Sequence, residues 1–247
     1  MKKIQFIPIS TLVPSLINPP IPASKKIPEW YKHQNAIIGD KVVVTDWGNA
    51  NTTVKKCMPV LDDMSAGYYI TLASDLLVSW NEDNTPSFAW SLDTSGGLNI
   101  GSDVTPLPKL IEGHTTDQIS HLPIPTEYSI HPQKFSNYYR IVTPKGYSCM
   151  FRHPSWVFDL PFYTLSGIVD TDKHPVAVNF PFLIRNGWSG LIEEGTPIVQ
   201  VIPFKRTEWE SEIVMGDNSE GELEYRKATK KLMHRYKNNW REVKTWK

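Results

Sequence analysis

The sequence predicts a mainly β protein, and three observations carry that reading. Short apolar runs recur through the middle of the chain, each bounded by Pro, Gly, Asn or Asp, at the spacing of an all-β barrel or sandwich. The 20 prolines and nine tryptophans among 247 residues sit beside these runs. There proline marks strand edges and corners, and large aromatic rings wrap a β core. Long helical character is confined to one segment near the C-terminus.

Residues 1–24 alternate apolar residues with proline and end in LINPPIPAS, which reads as an extended arm lying across a surface. Pro8 and Pro14 interrupt the opening apolar stretch, so neither a signal peptide nor an anchor is expected there. No apolar run approaches the roughly 20 residues of a spanning helix, and a cytoplasmic location is expected. In KKIPEWYKHQ, Pro28 suits a first helical turn and Glu29 its positive end, predicting a short helix near 27–34. Strands are expected at TVKKCMPV, in AGYYITLASDLLVSW on either side of a turn near Ser74 and Asp75, and at SFAWSLD. Residues 94–137, rich in Gly, Pro, Thr and His, read as a functional loop or a cover over the sheet.

Strands resume at YYRIVTP, GYSCMFRH, FYTLSGIVD, VAVNFPFLI and TPIVQVIPFKR. Residues 163–169 and 176–183 are expected to pair antiparallel across a turn at Asp170–His174. Gly195, inside Glu-Glu-Gly-Thr-Pro, is expected in a conformation closed to branched residues. Ser219 and Glu222 read as a capping box. The helix they open mixes Leu223, Tyr225, Leu232, Met233, Tyr236 and Trp240 with Arg226, Lys227, Lys230, Lys231, Arg235 and Lys237. That pattern reads as a solvated basic face over an apolar stripe, with nucleic-acid or partner binding as the lesser alternative. The chain divides accordingly into an arm with a short helix (1–53), a β core (54–215) and a C-terminal helix (216–247).

Acidic and basic residues balance at 26 each, so no overall charge draws the chain to nucleic acid or anionic lipid. Cys57 and Cys149 are the only cysteines, which predicts neither a disulfide framework nor a metal knuckle. No Walker loop, dinucleotide fingerprint, serine-hydrolase elbow or zinc-deaminase signature is present.

MSAGYYITL at 64–72, TPKGYSCMFRHPS at 143–155, and TLSGIVDTDK followed by GLIEEGTPIVQVIPF together resemble the dUTPase and dCTP deaminase superfamily, the β-clip fold. The whole chain, with IPEWYK, DLPFYTLSGIVDTD and NFPFLIRNGWSG, looks more specifically like a phage and bacterial family of unknown function. The β-clip resemblance implies a nucleotide site built from Tyr68 of the first motif, Arg152 and Ser155 after the second, Asp170 of the hairpin and Gln200 of the last strand. It also implies three copies packed with ligand pockets between subunits. The sequence departs from that pattern at Thr171, where the family has a Tyr against the sugar, and at Tyr69, where it has an Asp. A Lys- and Trp-rich helix replaces the glycine-rich phosphate-covering tail.

Asp170 therefore reads either as a carboxylate that orients a water or as a turn residue bonding its own backbone. Arg152 and Ser155 suit phosphate oxygens, although Arg152 equally suits pairing with Asp159 or Asp170. His153 with His174, and His114 with Asp117, His121 and His131, are weaker metal-ligand sets. Trp80, Trp90, Trp156, Trp188 and Trp209 would stack a base or wrap the core. The expectation is a phage-associated, β-clip binder of a nucleotide or nucleotide-like signal rather than an efficient hydrolase. The alternatives are a structural or protein-interaction protein, a divergent nucleotide pyrophosphatase using Mg2+, and a metal-dependent oxygenase.

Overall fold

The computed structural model describes residues 2–45, 48–49, 51–92, 98–100, 103–105, 107–119, 121–230 and 236–247. In chain order the strands begin with β1 (Gln5–Pro8), β2 (Ile21–Pro22), β3 (Val44–Thr45), β4 (Gly48–Asn49), β5 (Tyr68–Thr71) and β6 (Leu76–Trp80). They continue as β7 (Pro86–Trp90), β8 (Leu98–Ile100), β9 (Asp103–Thr105), β10 (Ile111–Gly113), β11 (Gln133–Phe135) and β12 (Tyr139–Val142). The last are β13 (Tyr147–Arg152), β14 (Phe162–Thr164), β15 (Gly167–Val169), β16 (Phe180–Ile184), β17 (Gly190–Ile192) and β18 (Pro197–Lys205). The helices are α1 (Val13–Leu16), α2 (Glu29–His33), α3 (Met58–Met64) and α4 (Ser219–Lys230). The protein is thus mainly β, in several antiparallel sheets with few helices. No helix among the described residues is long and apolar enough to cross a membrane.

Two compact units form, Met1–Ala23 with Gly67–Arg206 and Ser24–Ala66 with Thr207–Lys247. The first holds a five-stranded sheet in the order β15-β13-β18-β5-β2, a four-stranded sheet β10-β11-β16-β14 and a three-stranded sheet β17-β6-β7. Period-two alternation sends Cys149, Phe151, Val199 and Val201 of the five-stranded sheet into the core. The four-stranded sheet answers with Phe135, Phe162, Phe180 and Phe182, all buried. Phe135 stacks on Phe182 at 3.8 Å, and Phe162 meets both edge-on. Phe151 reaches Phe180 at 5.6 Å, and Phe88 of the third sheet meets Phe182 at 6.2 Å. One aromatic cluster therefore joins all three sheets, burying the large rings that dominate core energetics.

The arm is part of this unit rather than a surface strap. β1 pairs with β12 and β2 with β5, and Val13 and Ala23 are fully buried. One helical turn, α1, stands where extended chain was expected, with Pro14 in its first turn, a position where the missing N–H is not needed. The expected hairpin forms only in part. Phe162–Thr164 pairs with Phe182–Ile184, but Gly167–Val169 crosses to β13 in the other sheet. Thr164 marks the crossing: it is fully buried, and its hydroxyl donates to the Ile198 carbonyl at 2.6 Å. Gly195 adopts φ +78°, as its sequence context requires.

In the second unit the short helix near 27–34 is present as α2. The strand expected at TVKKCMPV is instead a 3-10 turn at Val54–Lys56 followed by α3. Thr53 caps the turn by accepting the Lys55 N–H at 3.3 Å, and Pro59 sits in the first turn of the helix, so cap chemistry overrides the apparent alternation. Arg241 forks onto the Asp62 carboxylate of α3, with Lys244 at 3.2 Å. The capping box does not form as expected. The Asp217 carboxylate takes the Ser219 N–H at 2.9 Å, while Glu222 pairs with Arg226 one turn on. Residues 231–235, part of the expected basic helix, lie outside the described residues.

Candidate functional site

β13 ends at Arg152, and Pro154 prevents the strand from continuing into the sheet. The chain loops out through Ser155, Trp156 and Phe158 before returning as β14. Trp156 takes φ +64°, a left-handed conformation that costs a bulky residue free energy and recurs at functional sites. Opposite the loop stand Tyr163 of β14 in the four-stranded sheet and the Tyr128–Arg185 bridge, which lies outside the named strands. Between them lies a cleft of about 360 Å3 lined by Arg152, His153, Ser155, Trp156, Phe158, Tyr163, Tyr128 and Arg185, among others. Such a volume falls in the range of small-molecule sites.

Gln200 of β18 sets the base of this cleft from beneath. Its side chain is fully buried, and Oε1 accepts from the Ser155 N–H at 3.2 Å and from Arg152 Nη2 at 3.3 Å. His153 holds the wall: its Nδ1 accepts the Thr164 N–H at 3.2 Å, its Nε2 lies 3.4 Å from the Val157 carbonyl, and its ring stacks on Tyr163 at 4.8 Å. With Nδ1 accepting, the proton belongs on Nε2. Burial holds the imidazole pKa below its ordinary value, opposed only by the Val157 bond. A neutral His153 therefore positions the wall. Arg185 is exposed and makes no side-chain hydrogen bond or ion pair among the described residues. Among the described residues, no carboxylate lines the cleft.

Asp170 stands elsewhere. Its main-chain carbonyl closes the expected turn by accepting from the Lys173 and His174 N–H groups, both at 2.9 Å. Its carboxylate reaches across to Ser148 Oγ at 2.7 Å and Arg206 at 3.1 Å. The Ser148 bond first, and then Arg206, hold its pKa below the usual carboxylate range. Asp172 is sequestered more deeply, its side chain 3% exposed. It accepts a fork from Arg206 and the Gly146 N–H at 2.8 Å, which lower its pKa to about 2. Thr171 between them is buried and bonds Thr143 at 2.7 Å, so the position where the resemblance places a sugar-facing Tyr faces the core. Ser148 and Arg152 stand four residues apart on one face of β13, a separation of roughly 13 Å at strand rise. Arg206, not Arg152, is the cation beside Asp170.

The structure thus brings Arg152, Ser155 and Gln200 together at one end of β13 and leaves Asp170 at the other. Tyr68 is buried on the opposite face, where its ring meets Phe6 edge-on at 5.2 Å and burial raises its pKa. Among the described residues, no three His, Cys, Asp or Glu side chains converge on a metal-sized site, and His114 is instead held by Gln118 at 2.8 Å. Trp80, Trp90 and Trp188 pack against the core, Trp156 lines the cleft, and Trp209 is 91% exposed. Tyr128, Tyr163 and Arg185 were not singled out in the sequence. The usable signal was an Arg directly after the apolar strand NFPFLI and before an Asn-Gly turn.

Compared with known proteins, the sequence matches no family model and no curated protein, and the structure matches no solved one.

Proposed function

We propose that this protein binds a nucleotide or nucleotide-like anion in the cleft at the end of β13, as a binder rather than an efficient hydrolase. The observation that carries the reading is the pairing of Arg152 and Arg185 with the rings of Tyr128, Tyr163 and Trp156 around one concavity. Guanidinium forks suit phosphate oxygens, and the rings suit a base. Binding is favoured over turnover because Asp170, the carboxylate read as able to orient a water, lies about a strand length away and is engaged by Ser148 and Arg206. A β-clip relationship and a phage origin belong to the same proposal, and so do a trimeric assembly and a Mg2+-dependent variant of the activity.

The experiment is a thermal-shift and calorimetric titration with ribo- and deoxyribonucleoside di- and triphosphates, with and without Mg2+. Arg185→Glu should weaken the best ligand about 10- to 100-fold, the usual worth of a charge-assisted bond, without lowering Tm. No ligand, or a ligand insensitive to Arg185→Glu, refutes the assignment. A protein-interaction role is the second reading. Trp209, Ile213, Val214 and Met215, close together in sequence in the second unit, are 91%, 88%, 76% and 92% exposed, and large apolar side chains left in water suit a contact with a partner. Light scattering before and after changing these four residues to Ser tests it and measures the number of subunits.

A further inference from the structure

A second concavity of the first unit shares no lining residue with the anion cleft, and its chemistry is different. It measures about 490 Å3 and is lined by Trp80, Asn84, Asn186, Gly187 and Ser189. Two left-handed turns form its rim: Asn84 at φ +60° between β6 and β7, and Gly187 at φ +68° between β16 and β17. The Trp80 indole N–H donates to the Trp188 carbonyl at 2.9 Å, which fastens the two turns to one another and fixes the ring. Asn186 donates both amide hydrogens, to the Thr126 and Tyr128 carbonyls at 2.8 and 2.9 Å. Its Oδ1 is thereby held in place as an acceptor with no partner among the described residues. Among the described residues, the Asn84 carboxamide and the Ser189 hydroxyl likewise make no side-chain hydrogen bond, and no charged side chain lines the concavity.

We propose that this surface is a binding site for an uncharged, hydroxyl-rich ring, a pyranose sugar. Vicinal hydroxyls donate and accept at the same spacing as side-chain amides and a serine hydroxyl. The C–H face of such a ring makes apolar contact with an indole whose N–H is already satisfied. A phosphate or carboxylate ligand finds no cation among the described lining residues to balance it, so the site and the arginine-lined cleft select opposite ligand classes.

The test is ligand-observed NMR on the full chain, titrated with glucose, galactose and N-acetylglucosamine, with sorbitol as the open-chain counterpart. Saturable binding of at least one sugar is expected, and of sorbitol much less. Asn84→Gly, which keeps the left-handed turn, and Ser189→Ala should each weaken it about fivefold, the worth of one neutral hydrogen bond, with Tm unchanged. Absence of saturable sugar binding overturns the proposal. So does equal binding of sorbitol, or affinity that neither variant alters.

Discussion

Gly67 and Gly195 have nearly the same backbone conformation, φ +68° and +78°, and very different surroundings. A Cβ on Gly67 would lie 2.0 Å from the Val201 carbonyl oxygen and 2.9 Å from its carbonyl carbon. Carbon and oxygen in contact keep about 3.3 Å apart, so β5 and β18 would have to separate by more than about 1 Å where Tyr68 faces Val201. A Cβ on Gly195 meets nothing within 4 Å. Both Ala variants incur the left-handed penalty of about 1–2 kcal/mol, and only Gly67→Ala adds an overpacking penalty of about 1–3 kcal/mol. Urea denaturation followed by near-ultraviolet circular dichroism should place Gly195→Ala about 1–2 kcal/mol and Gly67→Ala about 2–5 kcal/mol below the parent, with unchanged slope. Gly195→Val should lose more than Gly195→Ala, because a β-branched side chain is harder to place at positive φ. Equal losses for the two Ala variants would refute the claim that close approach to β18 is what requires glycine in the Ala-Gly-Tyr motif.

Asp170→Asn keeps an acceptor for the Ser148 hydroxyl, so it should leave Tm and nucleotide affinity nearly unchanged; wild-type hydrolysis that vanishes in this variant would instead make the carboxylate catalytic. Asp172 titrates below its ordinary 3.8, at about 2, so the stability it contributes is present above about pH 4 and lost as pH falls toward 2. Asp172→Asn should lower Tm at neutral pH more than Asp170→Asn does and flatten that acid decline. His153 also has a depressed pKa. Because the unfolded chain takes up the proton first, its contribution is present above about pH 6.5 and lost as pH drops below it, and His153→Gln should remove this part of the Tm–pH profile. Phe182→Ala, at the centre of the aromatic cluster, should cost about 3–5 kcal/mol by chemical denaturation; a loss under 1 kcal/mol would mean the cluster does not join the sheets.

Much of the strand content was legible because alternation and turn residues are local signals. YYIT, LLVSW, SFAW, RIV, YSCMFR and PIVQVIPFK each became strands or parts of strands, in β5, β6, β7, β12, β13 and β18. Pro28 and Glu29 marked α2 by the same local chemistry. Local signals failed where tertiary contacts took over. FYTLSGIVD reads as one strand, yet the buried Thr164 hydroxyl binds across to Ile198 and the chain changes sheets after it.

The candidate site divides in the same way. Arg152 and Ser155 were visible in the sequence as residue types suited to phosphate, and Gln200 as a position the β-clip resemblance implies. That they meet is a consequence of the β13–β18 register, which sets Arg152 opposite Gln200. Sequence alone determined that a mainly β chain with balanced charge and these chemical groups would form. Only the tertiary structure decided that Asp170 joins Arg206 while Tyr128, Tyr163 and Arg185 join Arg152. Strand register sets which side chains face one another across tens of residues, and the period-two pattern of any single strand carries no record of its partner.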